Sequence, residues 1–306
     1  MKRDLNMKKS QKTIRDVLTN IYTELETRLK MDYVITGVPT DFFEIDFYTK
    51  GFQRKDLIIL AGMPNSHKTS LALNISSNTA INHGNRVFYF SLDASPEMLV
   101  KKILFQLSNT SYNHFYLNML GYGDLKQLYK FGEIINKAPI NFFCDTKYTF
   151  EKIENKCSSS KLVPKLIVVD SLQLLGDVTK DKATIEEALI SFKKLAEKLN
   201  TAIVLIYDDL EGARDRYTKN EYTIDTSIFI KNNADVVFYI KNNVVISVDE
   251  DDDTQQTFKE IIIAKQKNGP CGSLRIGFNI NSLLFYNTNE DLFDVFINNA
   301  ERIVSC

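Results

Sequence analysis

An α/β architecture is what the sequence predicts: a mostly parallel, twisted sheet with helices on both faces, followed by carboxyl-terminal antiparallel strands. Three observations lead there. Runs such as Leu57-Ile58-Ile59-Leu60-Ala61 and Leu166-Ile167-Val168-Val169 are continuously apolar, so they lack the alternation of a strand wetted on one face. They are separated by stretches with apolar residues at helical spacing, the rhythm of a sheet covered on both sides. From residue 244 onward the pattern changes to strands joined by short turns.

In chain order, residues 1–10 are basic and polar and are expected to be disordered. Residues 12–30 read as an amphipathic helix, with Ile14, Val17, Leu18, Ile21, Leu25 and Leu29 on one stripe. That stripe must be covered, by this chain's own core or by a neighbouring subunit, and periodicity alone favours the former. Gly37-Val38-Pro39 marks a turn. Residues 57–61 are the first strand, and a helix starts near Lys68. Residues 86–91 are the second strand, and Ser95-Pro96-Glu97 opens a helix with Pro in its first turn. Residues 165–170 follow as a strand, and 184–199 as a helix that turns Ile185, Ala188, Leu189, Phe192, Leu195, Ala196 and Leu199 inward. Strands are then expected at 202–207 and 235–240, and antiparallel ones at 244–248, 257–264, 273–278 and 283–286. The polar, irregular stretches 108–157 and 208–230 are expected to be rich in loops.

The 306 residues allow two domains or one α/β core with an arm. Lys and Arg number 38 against 39 Asp and Glu, a net charge of −1, which excludes a generally basic nucleic-acid coat. Hydrophobic residues at 44% and charged residues at 25% suit a soluble globular protein. No apolar window is long enough for a membrane span, and no apolar stretch follows the first residues as in a signal peptide. Cys144, Cys157, Cys271 and Cys306 have no metal-ligand spacing, which points to reduced thiols and a cytoplasmic location. His67, His83 and His114 are too scattered for a metal site.

The chemistry concentrates in Gly62-Met63-Pro64-Asn65-Ser66-His67-Lys68-Thr69, between a buried strand and a helix. It follows the phosphate-loop pattern except that the second glycine is His67. In such a loop, backbone N–H groups and the helix amino terminus surround phosphates, a lysine (Lys68) reaches the outer ones, and a hydroxyl (Thr69) ligates Mg²⁺. An ordinary connection capped by Ser66 fits the same residues. Asp170 ends a buried strand and either holds Mg²⁺ with Thr69 or caps the next turn. Asp93 ends another strand, where a carboxylate can activate water. Parallel strands bring their carboxyl ends to one edge, so Lys68, Asp93 and Asp170 are expected to converge.

These pieces, in this order, resemble the ATPase domain of DnaB-type replicative helicases, a hexameric family of RecA-like fold. The resemblance runs from about residue 13 to 286. Thr13-Ile14-Arg15-Asp16-Val17-Leu18 resembles the linker helix. Gly37-Val38-Pro39-Thr40, Asp46 and Gly51-Phe52 resemble the start of the ATPase domain. Asp56-Leu57-Ile58-Ile59 to Ala72-Leu73-Asn74-Ile75, Phe90-Ser91-Leu92-Asp93-Ala94-Ser95, and Ile167-Val168-Val169-Asp170-Ser171-Leu172-Gln173-Leu174 resemble the phosphate-loop unit and the catalytic-glutamate and Walker B segments. Ala234-Asp235 followed by Ile261-Ile262-Ile263-Ala264-Lys265-Gln266-Lys267-Asn268-Gly269-Pro270 resembles the late strands and the arginine-finger turn. The resemblance divides the chain into a basic tail and linker helix (1–33), a RecA-like P-loop domain (34–290) and a tail (291–306). Of the family's amino-terminal part, only the linker helix is matched. In the family that helix packs on the next subunit, which assigns Ile14, Val17, Leu18, Ile21 and Leu25 to a subunit interface.

The resemblance implies ATP and Mg²⁺ as cofactors, held by Gly62, Asn65, Ser66, His67, Lys68, Thr69 and Ser70, with Asp170 beside Thr69 at the metal. It implies single-stranded DNA as a partner, reached through Arg214, Arg216 and Lys219 with Tyr217 and Tyr222; a solvated loop is the other reading of that stretch. The acidic run 249–253 reads as a hairpin tip. The partner protein is a second copy or a complete replicative helicase, and no membrane is involved. Four positions depart from the family. His67 replaces a glycine and is expected to crowd the phosphates. Asp93 replaces the catalytic Glu. Asp208 replaces a Gln that senses the γ-phosphate, and Lys267, with Lys265 nearby, replaces the finger Arg. The expected function is therefore that of a helicase-like, ATP-binding protein with weakened hydrolysis. The alternative is a degenerate paralogue that binds itself or a complete helicase.

Overall fold

The computed structural model describes residues 35–178, 182–208, 228–248 and 255–287, together with 13–15, 18 and 22. The chain forms two units, Met1–Ile35 and Thr36–Cys306. In the first, Ile14, Arg15, Leu18 and Tyr22 are helical, as the stripe predicts, and Ile14 and Leu18 are exposed. Val17, Ile21, Leu25 and Leu29 lie outside the described residues.

The second unit is built on one mixed sheet, ordered β3-β2-β4-β5-β1-β6-β7-β8-β9 among the described residues. Strands β1 (Leu57–Gly62), β2 (Val87–Ser91), β3 (Ile140–Cys144), β4 (Leu166–Asp170) and β5 (Ala202–Asp208) are parallel to their neighbours. The first stretch of β6 (Val236–Val248) is parallel to β1. Strands β7 (Gln255–Gln266), β8 (Gly272–Asn279) and β9 (Leu284–Tyr286) complete the sheet in antiparallel pairs. The continuous apolar runs are explained by two separate cores. Ile58, Leu60, Val168, Val204 and Ile206 face one, and Leu57, Ile59, Val169, Ile203 and Leu205 the other. Successive strand residues point to opposite faces, so burying both faces makes every position apolar.

Helices α1 (Phe43–Thr49) and α2 (Lys68–Ile81) flank β1 in sequence, and α3 (Pro96–Ser108) follows β2. Ser95 caps α3, its Oγ accepting from Met98 N at 3.4 Å, with Pro96 in the first turn as the sequence predicts. The long helix α7 (Lys182–Leu199) buries Ile185, Ala188, Leu189, Phe192, Leu195 and Ala196 against the second core. Within α1, the buried Asp46 carboxylate reaches back to the preceding turn and accepts from the backbone N–H of Thr40 and of Asp41 and from the Thr40 hydroxyl at 2.9–3.1 Å. Thr40 and Asp46 thus lock the turn that leads into α1.

Two expectations are corrected. The stretch 108–157 holds α4 (Tyr112–Tyr116), α5 (Tyr122–Ile135), β3 and α6 (Phe150–Ser158), not mainly loops. It looked irregular because α5 buries none of its residues fully and β3 is a sheet edge, so neither needs a full apolar pattern. The strands expected at 235–240 and 244–248 are one strand, β6, whose register with β7 shifts between Ile240 and Val244. A local irregularity of this kind reads in sequence as a break. Helix α8 (Ile228–Asn233) precedes β6. The rest of the stretch 209–227, and the acidic run 249–253, lie outside the described residues.

Candidate functional site

The carboxyl ends of β1, β2, β4 and β5 share one edge of the sheet, and most of the expected site lies there. The turn from β1 into α2 begins at Gly62. A Cβ there would sit 2.7 Å from both the Ile240 carbonyl oxygen and Ser66 Oγ, so only glycine fits. Asn65 and His67 then take left-handed backbone angles, φ 64° and 69°. His67 stands where glycine would carry this conformation without strain; an L-residue there costs roughly 1–2 kcal/mol. Its ring is seated against Phe278, with centroids 4.7 Å apart. This seat bears against the expected crowding of the phosphates. Burial, reinforced by Lys259, Lys102 and Lys68, lowers the ring's pKa to about 4, so it is neutral near pH 7. His67, not Ser66, is the N-cap of α2, and Ser66 Oγ instead accepts from Lys68 Nζ at 3.2 Å. The plain Ser66-capped connection is therefore corrected.

Lys68 is buried at the amino end of α2. Its ammonium donates to the carbonyls of Gly62 at 2.9 Å and Met63 at 2.7 Å. It also lies 2.8 Å from Asp208 Oδ1. Asp208 ends β5 in register with Gly62, and its carbonyl accepts from Gln173 Nε2 at 2.8 Å. Asp170 ends β4, buried. Tyr89, wholly buried on β2, donates its hydroxyl to Asp170 Oδ2 at 2.8 Å, and the Thr69 hydroxyl is near enough to favour the charged form of the Asp170 carboxylate. Burial raises the Asp170 pKa to about 6, against the two hydroxyls that lower it; Asp93 adds to the rise and Lys102 opposes it. Asp93 is exposed just past β2. Ser70 is buried in the first turn of α2 and Asn65 is exposed in the loop.

Lys265 and Lys267 are not part of this cluster. Lys265 pairs in register with Val237 and Gln266 with Val236, at the amino end of the parallel strands. There Asp235 is the hub. It accepts from Leu57 N at 2.9 Å, pairs with Lys193 at 2.7 Å, and lies 3.7 Å from Lys267 Nζ. Lys267 is 63% exposed. The loop candidates Arg214, Arg216 and Lys219 lie outside the described residues.

Sequence reasoning missed Tyr89, Gln173 and Lys102. Tyr89 reads as one more core aromatic, and its role is set by a strand far off in sequence. Gln173 lies in the Walker B-like segment, with no local sign that its amide reaches β5. Lys102 lies on α3 and acts electrostatically on both His67 and Asp170.

Chemically, the loop and the start of α2 offer backbone donors and a buried ammonium, a cradle for phosphate. Thr69 in the first turn of α2 and Asp170 at the end of β4 supply two hard oxygens at this sheet edge, which suits a magnesium ion whose other ligands come from water and phosphate. Among the described residues no group of three or more His, Cys, Asp or Glu could hold a metal by itself. No described helix is long and apolar enough to cross a membrane.

The family model for the DnaB-like helicase C terminal domain matches residues 37–287. The chain is 32% identical over 275 residues to the replicative DNA helicase DnaB of Geobacillus stearothermophilus and 31% identical over 273 residues to the replicative DNA helicase DnaC of Bacillus subtilis. In each case 87% of this chain is covered, and the chain spans 60% of the relative's length. Among solved structures, a DnaB-like replicative helicase described with its primase interactions superposes with a TM-score of 0.77 at 22% identity, covering 91% of this chain and 68% of that one. A second solved chain, described as an ATPase domain, gives a TM-score of 0.75 at 22% identity, covering 91% of this chain and 100% of that one. The sheet order, the loop with its converging carboxylates and the match across residues 37–287 agree, and the chain belongs to the DnaB-like helicase C-terminal domain family.

Proposed function

We propose that this chain is a DnaB-type replicative helicase-like protein that binds ATP with Mg²⁺, acts on single-stranded DNA in DNA replication, and hydrolyses ATP weakly. The observation that carries the reading is the convergence of Lys68, Thr69, Asp170, Asp93 and Asp208 on one sheet edge around a loop of phosphate-binding form. The relatives named as replicative helicases support it.

In this reading the loop N–H groups and the α2 amino terminus orient the phosphates, and Lys68 neutralises them. Thr69 and Asp170 would hold Mg²⁺, which when bound supplies charge neutralisation at the phosphate oxygens. Tyr89 fixes the Asp170 carboxylate that performs this task. Asp93 is the carboxylate placed to orient water and take its proton. Lys267, exposed at the opposite edge, is available only to the site of another subunit. Turnover is weak because Asp93 is one methylene short of a glutamate, Asp208 brings a negative charge, and Lys267 lacks the fork of an arginine.

The test is ATP hydrolysis by the purified protein with and without single-stranded DNA, with Lys68→Ala as control. Slow hydrolysis that Lys68→Ala abolishes is expected. Brisk, DNA-stimulated hydrolysis would defeat the weakened-site part of the reading. A second reading, a degenerate paralogue that binds a second copy or a complete replicative helicase, is favoured by the Lys68–Asp208 ion pair. Mixed complexes in native mass measurements, without any hydrolysis, would support it.

A further inference from the structure

Lys68 is the lysine that the nucleotide reading needs for the terminal phosphates, yet it already has an anionic partner. Its ammonium contacts the Gly62 and Met63 carbonyls, Ser66 Oγ and Asp208 Oδ1, at 2.9, 2.7, 3.2 and 2.8 Å. An ammonium has three protons, so these four acceptors leave it no unused donor. The Lys68 side chain is 5% exposed and that of Asp208 40%, so the pair joins a buried ammonium to a partly exposed carboxylate. Asp208 is also held in place. β5 fixes it in register with Gly62, and Gln173 binds its carbonyl.

Resting on the ATP-binding reading above, the geometry points to Asp208 as a specificity residue that makes this site favour nucleoside diphosphate over nucleoside triphosphate. A diphosphate fills the loop with its β-phosphate while Lys68 keeps Asp208. A triphosphate adds a γ-phosphate that needs the flank of Lys68 where Asp208 stands, and places like charges side by side. The penalty falls on the triphosphate. With Asp208 partly exposed and screened, it amounts to about tenfold in affinity.

The experiment is calorimetric titration of the full chain with ADP and with ATP, each with equal Mg²⁺, for wild type and Asp208→Asn, which keeps size and removes charge. Wild type is expected to bind ADP about tenfold more tightly than ATP. In Asp208→Asn the ratio should fall to near one, chiefly because ATP binds more tightly. Raising salt should shrink the wild-type ratio in the same direction, a measurement that stands even if the variant folds poorly; Asp208→Ser is the second variant. Three outcomes overturn the inference while leaving nucleotide binding intact: wild type favouring ATP, a ratio indifferent to Asp208, or weaker ATP binding in Asp208→Asn. Failure of wild type and both variants to bind either nucleotide overturns the inference together with the ATP-binding reading.

Discussion

His67 shows how one side chain is reconciled with a demanding backbone position. The left-handed angle at φ 69° costs energy, and the ring's contact with Phe278 offsets part of it. The ring sits there neutral, since burial and three lysines lower the pKa from 6.5 to about 4. The folded state therefore binds fewer protons than the unfolded chain in that window. His67's contribution to stability is present above pH 6.5 and is lost as pH falls through about 4. We expect urea midpoints to drop over this range by the equivalent of roughly 1–2 kcal/mol from His67, solvent screening of the half-buried ring included, and the drop to shrink in His67→Gly. Equal slopes in both proteins would show that the ring titrates normally. Because the ring rests on Phe278, His67→Gly is also expected to change nucleotide affinity little. The residue types at Lys68, Thr69 and Asp170 were legible because the loop pattern is local. Tyr89 and Gln173 were not, because their partners are supplied by other strands.

The elements differ in how strongly their sequences announce them. Helix α7 buries six of the positions its periodicity assigns inward, so its pattern is strong. Phe192, wholly buried and edge-on to Phe150, is expected to cost ~3–5 kcal/mol on replacement by Ala, read from chemical denaturation. Helix α5 behaves in the opposite way. It has no fully buried residue, and Gly132 lies in its interior with open space around the missing Cβ. Gly132→Ala is therefore expected to stabilise the protein by ~0.5–1 kcal/mol, and a lower denaturation midpoint would contradict that. The sheet edge β3 and helix α5 escaped the sequence reading for one reason: elements covered on one side need fewer apolar residues.

Across the whole molecule, the lysines at the two ends of the parallel strands cannot serve one site. β1 has six residues, a length of about 20 Å, and separates the edge that carries Lys68 from the edge that carries Lys267. In the proposed function Lys267 therefore acts on another subunit, and hydrolysis depends on assembly. We expect turnover well below the ~1–10³ s⁻¹ of ordinary enzymes. Combining Asp93→Glu, Asp208→Gln and Lys267→Arg should raise the rate more than any one change, because all three act on one transition state. No gain from the triple variant, with nucleotide still bound, would remove these positions as the cause. The interface expected at Ile14, Val17, Leu18, Ile21 and Leu25 leads to a further expectation. Deleting residues 1–30 should lower the oligomeric state in sedimentation, and an unchanged mass distribution would count against that interface.

The order of strands and helices, the double covering of the parallel sheet and the phosphate-loop chemistry all follow from local sequence: apolar runs of four or five residues, helical periodicity, and a lysine–threonine pair after a glycine turn. Hydrophobic burial and turn chemistry act over neighbouring residues, so a linear pattern records them. The Lys68–Asp208 ion pair, the Tyr89 hydroxyl on Asp170, the seating of His67 on Phe278 and the removal of Lys265 and Lys267 to the far edge were set by folding alone. Each depends on segments distant in sequence, and their distances depend on sheet order and register, which no single segment encodes.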